Sequence, residues 1–210
     1  MLRKYNRIKS IILPHKKINT IAIFVLFLGV IMGSVFSVII SMNDRILVTD
    51  KIKIFIDNIN NGSITSIMTL KNCLSINLIY VILIWILGMA LLGIIFNLLI
   101  IFFKGFIFSF SIASFILTYK YKGILLSFIY LIFGELLNIV VILILTIYSI
   151  TFSWYLLKLI FKTNNNLYIK HFLKNYLLIF VFSIIISIIS SLSEAFLVPS
   201  LVKLIIKLYI

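Results

Sequence analysis

Residues 76–118 read INLIYVILIWILGMALLGIIFNLLIIFFKGFIFSFSIASFILT, and this stretch decides what kind of molecule the chain is. It holds about 43 residues and one charged side chain, Lys104. A membrane-crossing helix needs about 20 apolar residues, and a single helix of this length would reach roughly 65 Å, about twice a hydrocarbon core. The run must therefore fold back on itself. Two helices are expected, at about 76–96 and 98–118, with the turn near Asn97. Lipid offers bare backbone and charge no partner, so Asn97 and Lys104 need protein around them. Lys104 lies about two turns into the second helix, from where its ammonium can snorkel to the interface. The other spans are expected to pack around this hairpin.

Composition agrees with a lipid solvent. The chain is 63% hydrophobic and 11% charged, and its mean hydropathy is +1.28. A soluble domain cannot hide so much apolar surface. The net charge of +14 comes from Lys and Arg at the edges of apolar spans. Such placement fits topology signals and contact with anionic lipids of the bilayer, and it argues against nucleic-acid binding, which needs a basic surface in water. Cys73 is the single cysteine, which excludes an internal disulfide and any multi-cysteine metal site. No cofactor is implied.

N-terminal to the hairpin, residues 1–17 form a basic tail with Arg3, Lys4, Arg7, Lys9, Lys16 and Lys17, broken by Pro14. No small-residue cleavage site follows the first apolar stretch, so it reads as a retained span over about 18–40. Gly29, Gly33, Ser37 and Ser41 recur every fourth residue along it. That stripe is a close-packing face, for another span of the same chain or for a second copy in a homo-oligomer. Residues 43–75 are the only long connection. In it Ile52, Phe55, Ile56 and Ile59 fall on one helical face, giving an amphipathic helix at the interface that ends at Asn60-Asn61-Gly62. Ser63 is expected to cap a second short helix holding Ile64, Ile67 and Met68. The stripe Ile52, Phe55, Ile56 and Ile59 serves either as a membrane-surface clamp or as a docking platform for a partner.

C-terminal to the hairpin, Gly105, Ser109 and Ala113 repeat the small-residue spacing. An apolar stretch over 123–157 is longer than one untilted span needs, and Gly134-Glu135 marks a possible break, with Asn138 one turn on. Lys158, Lys162, Lys170 and Lys174 flank a polar run at 163–166, which reads as a cytoplasmic loop. A last span over about 175–198 carries Ser183, Ser187, Ser191 and Ala195 every fourth residue. Glu194 sits one turn after Ser190 and points inward, and Pro199 is expected to stop the helix.

The fold class is thus an all-α polytopic membrane protein: about five transmembrane helices, a tight central hairpin and an amphipathic extracytoplasmic loop. It is organised as a basic cytoplasmic tail, 1–17, and one integral membrane domain, 18–210. With the N-terminus cytoplasmic, inside segments hold 11 basic residues, counting Lys104, against 8 outside, so the C-terminus lies outside. Catalytic signatures are missing. There is no HExxH, no phosphate-binding P-loop, and every Asp lies in the long outer loop. Glu135 and Glu194 are the acids at membrane depth. Either they pair inside the bundle with Lys104, serines or asparagines such as Asn138, or Lys104, Glu135 and Glu194 line an ion path in a small-solute or ion transporter.

At Trp85-Ile-Leu-Gly88 with Leu92-Gly93, Phe103-Lys104-Gly105, Lys122-Gly123, and Ser190-Ser-Leu-Ser-Glu194-Ala195-Phe196 through Pro199, the chain resembles the stage II sporulation protein M family. Where that family often has a proline and an amide group, this chain has Gly134-Glu135. The resemblance implies a non-enzymatic anchor in the mother-cell membrane at the sporulation septum. It would hold two peptidoglycan-degrading partners, stage II sporulation proteins D and P, there during engulfment.

Overall fold

The structure is a computed structural model and describes residues 16–62, 66–90, 92–161 and 169–209. The tail through His15, the expected cap Ser63 with Ile64, and the polar run 163–166 lie outside the described residues. Among the described residues, seven α-helices and one π-helical segment follow one another: α1 Lys16–Ile39, α2 Met42–Asn60, α3 Ser66–Met89, α4 Gly93–Tyr119, α5 Tyr121–Ile129, the π segment Tyr130–Glu135, α6 Leu136–Phe161 and α7 Ile169–Tyr209. Five stretches are long and apolar enough to cross a membrane: α1, α3, α4, Leu136–Lys158 of α6 and Phe172–Ile205 of α7. The class is the expected one, and large apolar side chains such as Phe24, Phe27, Ile31, Ile79 and Phe182 point outward as lipid requires.

The hairpin exists, but its turn comes earlier than Asn97. It lies between Met89 and Gly93, closed by Ala90 N–H on the Leu87 carbonyl and Gly93 N–H on the Ala90 carbonyl, both at 3.0 Å. A Cβ on Gly93 would overlap the Leu87 carbonyl, so the turn needs glycine there. Span length alone, divided evenly over the run, puts the turn near Asn97. Inside α4 Asn97 is fully buried, and its amide donates to Ser149 Oγ of α6 at 2.6 Å, which offsets part of the cost of burying it.

Nor is the hairpin the centre. More than half of the α6 span is buried, 56% against 22–28% for the other four. α6 touches α1, α3, α4 and α7. Its small polar residues Thr146, Ser149 and Ser153 are fully buried and let neighbours approach closely. The main core joins Val81 and Ile84 of α3, Ile101 of α4, Ile142 and Leu145 of α6, and Tyr176 of α7.

The connection between α1 and α3 is one helix, not two. Ser41 caps α2: its Oγ accepts from the Asp44 N–H at 3.2 Å and donates to the Asp44 carboxylate at 2.7 Å. Arg45 Nη2 donates to the Val38 carbonyl and so covers an open C-terminal carbonyl of α1. Ile67 and Met68, expected in a separate short helix, form the first turn of α3, because no Gly or Pro lies between them and the apolar run that starts at Ile76.

α2 packs back on the bundle. Ile56 and Ile59 join Leu126 of α5 and Val198 and Val202 of α7 in a second core at the end of the bundle opposite the hairpin turn. This core explains the other departure: Pro199 does not stop α7, which runs on to Tyr209. Proline in a helix interior costs about 3 kcal/mol. Val198 and Val202, on either side of it, are held by α2 and α5, and Ser200 Oγ donates to the Phe196 carbonyl at 2.8 Å within the weakened turn.

Candidate functional site

Lys104 lies near the middle of α4 and does not snorkel. It is buried, with its Nζ 2.8 Å from Glu135 Oε2 and 5.2 Å from the centre of the Tyr80 ring. Opposite charge at hydrogen-bonding distance and a π face both favour an ammonium more in a low-dielectric interior than a climb to the interface. Glu135 ends the π segment. In π winding, residues five apart become neighbours, and the Tyr130 hydroxyl accordingly donates to Glu135 Oε1 at 3.3 Å. The expected break at Gly134-Glu135 is therefore a change of helical winding that aims a carboxylate at Lys104. Its loosened turn also presents the Gly134 carbonyl to Ser190 Oγ of α7 at 2.9 Å.

Glu194 stands beside this pair. Its side chain hydrogen-bonds with the Cys73 thiol, and its Cγ lies on the Gly134 side of α7. It lines a cavity of about 260 Å³ with Cys73, Phe115 and Tyr130, roofed by Phe55 and Ile59 of α2. One layer toward the hairpin end, Asn138 donates to Asn77 Oδ1, Asn77 donates to Ser191 Oγ at 2.9 Å, and Ser187 Oγ contacts Asn138 Oδ1 at 3.4 Å. A second chain runs from Asn97 through Ser149 to the Ile84 carbonyl at 2.8 Å, and the Tyr176 hydroxyl donates to the Trp85 carbonyl at 2.8 Å. These bonds run between helices and so pin α3, α4, α6 and α7 in one register.

The fourfold stripe of α1 is spent within the chain. A Cβ on Gly29 would overlap the Phe102 carbonyl of α4, and one on Gly33 the Phe106 carbonyl and Ser109 Oγ. A Cβ on Gly105 would come within 2.6 Å of the Leu26 carbonyl oxygen from the other side. Ser37 is buried, while Ser41 has left the stripe to cap α2.

A family model described as stage II sporulation protein M matches residues 20–199, across all five spans. The chain belongs to this family. No curated protein and no solved structure matches it. In this stage II sporulation protein M family member two of the motifs noted in the sequence converge. Lys104 and Gly105 face Glu135 and α1, and the Ser190–Glu194 segment faces the π segment. Lys104, Glu135 and Glu194 form one cluster, and Asn138 lies in the adjoining amide layer. Of the α2 stripe Ile52, Phe55, Ile56 and Ile59, Phe55 and Ile59 face the cluster across the cavity; Ile56 and Ile59 are buried and Phe55 is more open, at 36%. Cys73, noted in the sequence only as the single cysteine, completes the site with Tyr80, Tyr130 and Asn77, which the sequence does not single out. Their only signal is a polar or aromatic atom at membrane depth. Among the described residues no three His, Cys, Asp or Glu side chains gather as a metal site. The ammonium and a carboxylate neutralise each other instead of facing an open path, so the arrangement does not favour a transporter.

Proposed function

We propose that this sporulation membrane protein is a non-enzymatic scaffold of the engulfment machinery. It would sit in the mother-cell membrane at the septum and localise peptidoglycan-degrading partners, stage II sporulation proteins D and P. The observation that carries the reading is the match of the sporulation family across all five spans. The interior supports it: buried polar groups are spent on holding helices together, as a scaffold requires. With the N-terminus cytoplasmic, α2 faces the compartment where wall enzymes act, and its accessible edge at Ile52 and Phe55 is the docking surface. The deciding experiment is membrane-dye microscopy of a deletion strain during sporulation. Septa that form without the mother-cell membrane migrating around the forespore support the reading. Normal engulfment overturns it.

A further inference from the structure

At the hairpin end of the bundle, α1, α4 and α6 enclose a groove of about 530 Å³. Its walls are apolar, from Ile21, Leu98 and Ile150, and its rim carries Lys16, Lys17, Lys158 and Trp154. Lys158 Nζ lies 5.6 Å from the centre of the Trp154 ring, which holds that lysine over the groove. The three ammonium groups have no acid to meet. The chain contains five acidic residues, Asp44, Asp50, Asp57, Glu135 and Glu194. The aspartates belong to α2 at the opposite end, and the glutamates belong to the cluster around Lys104.

We propose that this groove binds an anionic phospholipid of the leaflet at the hairpin end, with an acyl chain between the helices and the phosphate against Lys16, Lys17 and Lys158. Three observations point to lipid. The volume falls in the range of small-molecule sites, roughly 300–1,000 Å³. The apolar wall lies below the basic rim along helices that face hydrocarbon, which is the order of groups in a phospholipid. Trp154 is 45% exposed at the level of the lysines, where an indole marks the headgroup boundary. A basic pocket between spans is a recurrent way of gripping anionic headgroups, and each lysine near such a surface strengthens binding about fivefold. The site is independent of the engulfment role.

The test uses the full chain in neutral detergent, titrated with phosphatidylglycerol or with phosphatidylcholine of the same acyl chains. Retained lipid is read by native mass spectrometry and stability by thermal melting. Phosphatidylglycerol should bind up to roughly a hundredfold more tightly at low salt, with the margin narrowing as salt rises. Replacing all three groove lysines, Lys16→Gln, Lys17→Gln and Lys158→Gln, should abolish the preference. The distant set Lys51→Gln, Lys53→Gln and Lys71→Gln should keep it. Ile21→Trp, on the exposed wall, should fill the groove and weaken phosphatidylglycerol binding with the lysines intact, which keeps the test decisive if the triple variant folds poorly. Equal binding of the two lipids, an unchanged preference in the triple variant, or unchanged binding in Ile21→Trp would overturn the site. Equal stabilisation by inorganic phosphate would overturn the lipid assignment.

Discussion

A single lysine, Lys104, illustrates how far a sequence can be taken and where geometry must enter. Its position inside an apolar run marks it as an intramembrane charge, and Glu135 and Glu194 are legible in the same way. The pairing is not. Tyr130 and Glu135 are five residues apart, a spacing that α-helical winding does not bring together, and only the π segment makes them neighbours. A turn at Asn97 would bring Lys104 within snorkelling reach of the interface, whereas the turn between Met89 and Gly93 sets it about one turn deeper. The pair carries a sharp expectation. Lys104→Met leaves the Glu135 carboxylate buried without its cation, a change that costs about 3–5 kcal/mol in protein interiors. The variant should melt well below the wild type in detergent, and adding Glu135→Gln should restore most of the loss. A single variant as stable as the parent would mean that the two groups are not paired in the folded protein.

Elements were more legible than contacts. The five spans, the α2 stripe and the small-residue face of α1 follow from hydropathy and from periods of 3.6 and 4. Their ends were less legible, because tertiary packing sets them: Gly93 against the Leu87 carbonyl fixes the hairpin turn, and the second core carries α7 through Pro199. The α1–α4 pairing is the most extensive in the molecule, and its glycines admit no side chain. Gly33→Ala places a methyl against the Phe106 carbonyl and should lower the folded yield and melting temperature, by about 1–3 kcal/mol if the helices separate slightly. Gly134→Ala is the control, since its Cβ would meet Glu194 Cγ at an ordinary 3.6 Å. Equal behaviour of the two variants would argue that α1 does not pack on α4 so closely. For α2, burial divides the stripe. Ile56 and Ile59 are committed to the second core, whereas Phe55 is open enough to meet a partner. Phe55→Asp should therefore reduce co-purification of the wall hydrolases while leaving the protein in the membrane. Unchanged co-purification would remove α2 from the docking surface.

For the whole molecule, the open quantity is its direction across the bilayer, and the corrected turn changes that argument. Lys104 is a paired interior charge and no longer counts as a loop charge. Ten basic residues then belong to segments at the hairpin end, six of them in the tail and the others Lys158, Lys162, Lys170 and Lys174, against eight at the α2 end. The bias is narrow, but the tail precedes the first span, and the first span usually dominates orientation. The hairpin end should therefore be cytoplasmic. Two exposed positions report on it: Asn61 after α2 and Ala90 in the hairpin turn. In a Cys73→Ser background, which keeps a hydroxyl donor beside Glu194, Asn61→Cys should react with a membrane-impermeant maleimide in intact protoplasts. Ala90→Cys should react only after lysis. The reverse pattern would put Phe55 and the accessible edge of α2 in the cytoplasm. No wall enzyme could reach that edge there, so the docking proposal would fail even if the family's role in engulfment held.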